Sequence, residues 1–251
     1  MDILVFNRLV QAWFGIGLVT FIALWFVPAP YGRHSRPGWG PTLRARLGWM
    51  VMELPAVAVL AAFFFTSGRT SEPAALVFFA MWEIHYVHRT FVFPSLLAPG
   101  STPMPVSIMG LAVVFNLING CLQGGWLYRL SPRYPADWLR DPRFLAGAAL
   151  FFAGMAVNWH SDAVLRKLRK PGETGYKQPQ RGLFRWVECP NYLGEMVEWS
   201  GWAIATWSLA GAAFAFWTAA NLIPRTLWHR HWRGKLDPTA PPASKDRPRG
   251  A

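Results

Sequence analysis

Apolar residues dominate the chain in long runs that short polar segments interrupt. Seven runs are long enough to cross a hydrocarbon layer of about 30 Å as helices rising about 1.5 Å per residue. They cover residues 3–27, 47–66, 74–93, 104–128, 144–165, 186–209 and 210–227. The last two are separated only weakly, at 208–211, so either a tight hairpin or one broken helix fits there. The pattern predicts an all-α, polytopic membrane protein with seven transmembrane helices.

Basic residues give the predicted bundle an orientation. The net charge of +12 would also suit a nucleic-acid-binding protein, but the charges lie between the apolar runs, as in membrane loops. With the amino terminus outside, 19 of the 25 Lys and Arg fall on the inner side. We therefore expect a cytosolic carboxyl terminus and no nucleic-acid partner. The host membrane is expected to be a bacterial inner membrane, or the endoplasmic reticulum in a eukaryote.

The chain is expected to form one membrane domain over residues 1–234 and to act as a monomer. Residues 235–251 are rich in Pro and polar residues, which predicts a disordered tail. The first apolar run lacks a basic segment before it, so we interpret it as a retained helix, not a cleaved signal. Cys121 and Cys189 indicate neither a disulfide framework nor a metal cluster.

Two ionisable residues interrupt the second and third apolar runs, where such groups are costly and therefore functional candidates. Glu53 lies about six residues past the cytosolic start of its run, and Tyr86 lies at a similar depth in the next. Alternatively, Glu53 joins two helices and Tyr86 anchors the interface. His85, His88 and Arg89 fit an interfacial cap better than a metal site, because no set of His and carboxylates has ligand spacing.

A second group of polar residues flanks the basic loop between the fifth and sixth runs. Asn158 and Asp162 are four residues apart, so they share a helix face, and Arg169 continues that face. Asn191 and Glu195 repeat the spacing beyond the loop. The predicted topology brings both pairs to the same membrane face as the two ionisable residues above. Two polar helix faces joined by a cationic loop suggest a site for a phosphorylated, partly polar ligand.

Five segments carry a family resemblance: LRKPGETGYKQPQRGLF, NYLGEMVEW, HYVHRTFVFP, MELP and YGRH. Along the chain these segments follow the order and spacing of the steroid 5-alpha-reductase family, which the sequence resembles over nearly its whole length, and we expect a bacterial homologue. Segments like NYLGE also occur in sterol double-bond reductases and isoprenylcysteine carboxyl methyltransferases. The resemblance implies an NADPH-dependent reductase that acts on a 3-oxo-delta-4 steroid in the bilayer.

The resemblance also implies roles for individual residues. Glu53 and Tyr86 would hold the substrate ketone, as catalytic residues. The residues implied in cofactor binding are Asn158, Asp162, Arg169, Tyr176, Asn191 and Glu195, with Arg33 and His229 as further contacts. Met52 stands where the family commonly has Gln, which removes one possible hydrogen bond to the substrate.

The chemistry of the reaction agrees with these roles. Hydride reduction of an enone places negative charge on the ketone oxygen, so a hydrogen-bond donor must already face it. Tyr86 can donate, and Glu53 can donate if burial keeps it protonated. Two alternatives stay open: an isoprenylcysteine-type methyltransferase holding S-adenosylmethionine, and a polytopic transporter or scaffold without enzymatic activity. The methyltransferase gives Glu53 and Tyr86 no obvious task.

Overall fold

A computed structural model of the protein describes residues 2–98, 100–168 and 177–236. Within them seven long helices form: α1 (Ile3–Phe26), α2 (Ala45–Phe65), α3 (Pro73–Val87), α4 (Val106–Gly125), α5 (Pro142–Arg166), α6 (Pro190–Thr206) and α7 (Leu209–Leu236). The predicted helical architecture and the seven helices are confirmed. Four of the described helices, α1, α2, α5 and α4 with its extension to Leu130, are long and apolar enough to cross a membrane. Residues 237–251 of the predicted tail lie outside the described residues.

The boundary between α6 and α7 is a tight turn, so of the two possibilities the hairpin is correct. Trp207 adopts the left-handed conformation with φ of 45°, which ends α6. The backbone N–H of Gly211 donates to Ser208 Oγ at 3.0 Å, which caps the start of α7. The start of α6 was predicted four residues too early. The helix begins at Pro190, because proline lacks the N–H that a first-turn residue leaves unpaired.

Short irregular elements complete the described fold. A π-helical turn (His88–Val92) follows α3, and the Phe93 N–H donates to His88 O across it. A second π-helical turn (Trp126–Leu130) extends α4. The strands β1 (Thr42–Leu43) and β2 (Met104–Pro105) pair antiparallel. The all-α prediction lacked this pair, because two-residue strands are too short to show an alternating pattern.

The connections between helices gather at opposite ends of the bundle. At one end, which we call the cleft end, β1 precedes α2 and pairs with β2, which precedes α4. At the same end, His34 Nε2 lies 3.0 Å from Nδ1 of His229 on α7. At the other end, Arg69 Nη2 donates to Ser131 O at 2.8 Å, which joins the connections after α2 and α4. The helices therefore alternate in direction.

Glycines bring α5 and α6 into backbone contact. A Cβ atom added at Gly194 would lie 2.6 Å from both Asn158 N and Gly154 O. One added at Gly154 would overlap Glu198 N. Because small residues let two helix backbones approach this closely, the polar residues of α5 and α6 come within hydrogen-bonding distance.

Aromatic side chains fill the core beneath Tyr86. The Tyr86 ring lies 4.6 Å from Trp82 and 5.6 Å from Trp199, measured between ring centroids. Trp82, Trp199 and Trp202 are fully buried. The indole of Trp82 donates from Nε1 to Ala56 O at 3.0 Å, so its polar atom is satisfied within the core. This packing holds α3 against α2 and α6.

Candidate active site

Glu53 is buried in the bundle on α2, with 9% of its surface exposed. Asn116 on α4 donates from Nδ2 to Glu53 Oε2 at 3.1 Å and to Met52 O at 2.6 Å. One amide group therefore ties the carboxyl and the adjacent backbone of α2 to α4. Glu53 does join two helices, as the alternative interpretation expected, through a hydrogen bond that also fixes its orientation.

Tyr86 projects from α3 into the same region and is buried. Glu53 and Glu195 both lie close enough to act electrostatically on its phenol. Its depth in the core does not agree with an interfacial anchor, because belt tyrosines keep the hydroxyl in contact with water. The structure therefore places a phenol donor and a carboxyl group in one buried region.

Arg89 connects this region to α5 and α6. The π-helical turn places its guanidinium 3.5 Å from Asp162 Oδ2 and 3.8 Å from Glu195 Oε2. The same guanidinium lies 4.8 Å from the ring centroid of Trp49 and acts electrostatically on Glu53. Arg89 does not act as an interfacial cap, because its side chain is only 14% exposed. π-Helical turns often occur at functional sites.

Asn158, Asp162 and Asn191 form a network across the contact of α5 with α6. Asn158 Nδ2 donates to Asn191 O at 3.0 Å, and Asn191 Nδ2 donates to Asp162 Oδ1 at 3.3 Å. These three residues, Glu195 and Arg89 are called the polar cluster below. The structure thus brings together the polar residues that the sequence predicted to lie at one membrane face.

A small cleft opens at the cleft end beside the polar cluster. Arg33, Asn191 and His229, three of the residues implied in cofactor binding, line it. The other lining residues are Leu165, Gln178, Pro179, Phe184, Glu188, Cys189 and Tyr192. Arg169 and Tyr176, also implied in cofactor binding, lie outside the described residues.

His229 belongs to a hydrogen-bonded chain at the floor of this cleft. Arg225 Nε donates to the Tyr192 hydroxyl at 2.8 Å, and that hydroxyl lies 3.0 Å from His229 Nε2. The phenol can therefore donate to Nε2, and Nδ1–H of the neutral imidazole then donates to His34. Burial and the charge of Arg225 lower the pKa of His34 to about 4, so His34 is a neutral acceptor at pH 7.

Several residues at the site did not emerge from the sequence. Asn116 and Arg225 both interrupt apolar runs, so a polar side chain in an apolar segment was an available signal. Tyr192 carried no such signal, because a tyrosine near a helix start is common at membrane interfaces. The pairing of buried His85 with Glu198 required two helices to meet in space.

Comparison with known proteins identifies the family. A family model described as 3-oxo-5-alpha-steroid 4-dehydrogenase matches residues 102–245. Steroid 5-alpha-reductase DET2 of Gossypium hirsutum is 45% identical over 221 residues, which cover 86% of this chain and 85% of the relative. The chain belongs to the 3-oxo-5-alpha-steroid 4-dehydrogenase family. The resemblance stated from the five sequence segments is confirmed.

Animal members of the 3-oxo-5-alpha-steroid 4-dehydrogenase family are similar to this chain at nearly the same level. 3-Oxo-5-alpha-steroid 4-dehydrogenase 1 of Bos taurus is 44% identical, over 86% of this chain and 85% of its own length. The protein of the same name from Homo sapiens is 43% identical, over 80% of this chain and 78% of its own length. Plant and animal relatives therefore each match at least 80% of the chain.

Proposed function

We propose that this chain reduces the delta-4 double bond of a 3-oxo-delta-4 steroid, with NADPH as the reductant. The names of its relatives support the reaction type, an oxidoreductase acting on a CH–CH bond. The proposed residue roles rest on one observation: a series of polar contacts runs from the cleft to the buried carboxyl group of Glu53. Asn191 bonds to Asp162, Asp162 pairs with Arg89, and Arg89 acts electrostatically on Glu53.

The cleft has the donor groups that a phosphorylated dinucleotide requires. Arg33 brings a guanidinium to the cleft wall, and cationic side chains are the usual partners of phosphate. Arg225 lies behind the cleft wall, where its Nε holds the hydroxyl of Tyr192, a lining residue, at 2.8 Å. Asn158, Asp162, Glu195 and His229 would hold polar parts of the cofactor. Arg169 and Tyr176 remain predictions for the same site.

Glu53 and Tyr86 would bind the ketone oxygen of the substrate. When bound, NADPH supplies the hydride that adds to the beta-carbon of the enone. Tyr86 donates its O–H to the oxygen on which negative charge develops, and a protonated Glu53 donates a second hydrogen bond. Asn116 Nδ2 donates to Glu53 Oε2, so Oε2 acts as an acceptor and the carboxyl proton lies on Oε1. A proton from solvent completes the alpha-carbon.

We also infer that all seven helices of this one domain cross the membrane, with the amino terminus outside and the cleft end in the cytosol. The excess of Lys and Arg on that side supports the orientation. NADPH is available there, and the steroid would enter from the lipid. Val51 and Leu54, beside Glu53 on α2, are more than 40% exposed, as side chains that contact lipid would be.

Purified protein in detergent provides the test. We expect NADPH to raise the melting temperature and to be consumed when progesterone, a 3-oxo-delta-4 steroid, is added. Tyr86→Phe and Glu53→Leu should lower kcat by about 10²–10³, the usual cost of removing one donor to a developing oxyanion. Protection by NADPH should persist in both variants, because neither residue lines the cleft.

S-adenosylmethionine is the discriminating control ligand. If it raises the melting temperature and NADPH does not, the chain is a methyltransferase-like protein and the reductase proposal is wrong. If neither ligand protects and progesterone is not reduced, the non-enzymatic alternative is favoured.

A further inference from the structure

A buried ionisable pair lies next to Tyr86, apart from the residues assigned above to the reaction. His85 Nδ1 on α3 lies 2.7 Å from Glu198 Oε1 on α6. The exposed fractions of the two side chains are 4% and 0%. A separation of 2.7 Å is typical of a hydrogen bond between a charged donor and a carboxylate.

The imidazole also packs against the aromatic wall of the site. The His85 ring lies 4.6 Å from Trp199 and 4.9 Å from Tyr86, edge to face with both. Trp199 contacts the Tyr86 ring from a second direction. The orientation of His85 therefore helps to fix the position of the phenol.

Glu198 depends on His85 for its hydrogen bonding. Its second oxygen, Oε2, is buried and has no hydrogen-bond partner among the described residues. Loss of the bond at Oε1 would leave both oxygens of the carboxyl without a hydrogen-bond partner, which is costly in a buried site. The other charged groups that face His85 are Glu195 and Arg89 from α6 and the π-helical turn, with Glu53 from α2.

We propose that His85 is a positioning residue for Tyr86 and that Glu198 keeps it an imidazolium. The inference rests on the proposed reductase function. The imidazolium holds the phenol in place and presents a fixed positive charge near the oxygen on which negative charge develops during reduction. Such a preorganised charge acts on the reaction without touching the cofactor.

Glu198→Gln tests the charge separately from the packing. The amide oxygen can still accept from His85 Nδ1–H, but the negative charge is removed. We expect kcat for progesterone to fall about tenfold, while KM for NADPH and protection by NADPH stay unchanged. Because an imidazolium without its carboxylate loses its proton more readily, the decline of kcat at alkaline pH should move to lower pH.

His85→Gln is the second variant, for the case that Glu198→Gln does not fold. It keeps a donor for Glu198 but has no titrating ring, so kcat should fall by a similar factor and the alkaline decline that His85 causes should disappear. Gln123→Leu is the matched structural control. Trp202 lies one turn along α6 from Glu198, and its Nε1 donates to Gln123 Oε1 at 2.9 Å. Gln123→Leu removes this hydrogen bond. It should lower the melting temperature and leave kcat unchanged.

The outcomes separate the inference from the proposed function. A wild-type chain that neither binds NADPH nor reduces progesterone overturns both. An active wild type whose His85 and Glu198 variants keep its kcat and pH profile overturns only the role of His85. The role of His85 is also overturned if these variants lose kcat and NADPH affinity in equal measure, because that pattern reflects general disruption of the fold.

Discussion

At the scale of single residues, the candidate site depends on partners supplied by neighbouring helices. Glu53 is held by Asn116 from α4, and Asp162 is held by Asn191 from α6. A carboxyl group in a buried site needs such partners, because water is not available to satisfy its oxygens. The amide that orients Glu53 is therefore expected to affect turnover, although it is not expected to touch the cofactor.

Asn116→Leu tests that expectation. Leucine has a similar volume and no donor, so Glu53 loses its orienting hydrogen bond and the proton is no longer directed to Oε1. We expect kcat for progesterone to fall about tenfold, equivalent to about 1.4 kcal/mol of transition-state stabilisation. KM for NADPH should not change.

Asn119→Leu is the matched control for this substitution. Asn119 is also buried, one turn along α4, and its side-chain oxygen accepts from Gln123 Nε2 at 3.4 Å. It should leave kcat unchanged. Wild-type turnover in Asn116→Leu would show that Glu53 does not need the amide.

At the scale of elements, the contact between α5 and α6 builds the half of the site that we propose for the cofactor. Gly154 and Gly194 remove the side chains that would separate the two backbones, so Asn158 reaches the carbonyl oxygen of Asn191. The fit also leaves no space for an added methyl group. We therefore expect stability and cofactor binding to be linked at this contact.

Gly154→Ala should separate α5 from α6. Overpacking of a close contact typically costs about 1–3 kcal/mol, so the melting temperature in detergent should fall. NADPH should bind more weakly, because the added methyl group overlaps Glu198 N and pushes Asn158 away from Asn191.

Gly110→Ala is the control, since a Cβ atom at Gly110 on α4 has no neighbour within 4 Å. It should be neutral or slightly stabilising, because alanine favours a helix. Equal effects of the two substitutions would contradict the importance of the α5–α6 contact.

At the scale of the whole molecule, alternating helix directions collect the basic connections at the cleft end. The polar cluster, the cleft and the buried carboxyl all lie towards that end, and the other end is closed by contacts such as Tyr134 to Thr206. The proposed membrane orientation would place the cleft where cytosolic NADPH can enter. The orientation can be measured without any activity assay.

Fusions to the carboxyl terminus test the orientation in bacterial cells. Green fluorescent protein should fluoresce there and alkaline phosphatase should be inactive, because the phosphatase needs the periplasm to form its disulfides. The reverse pattern would place the carboxyl terminus outside and would contradict a cytosolic cleft. Amino-terminal fusions, expressed in parallel, should behave in the opposite way.

The sequence by itself determined the helices and the family. Apolar runs specify helices because buried backbone groups must bond within their own segment in an apolar environment, and five ordered segments identified the relatives. Only the tertiary structure decided the partners: Arg89 with Asp162, Asn116 with Glu53, and His85 with Glu198. Periodicity along one helix does not reveal these pairs, because they depend on which faces of two helices meet and how closely their backbones approach.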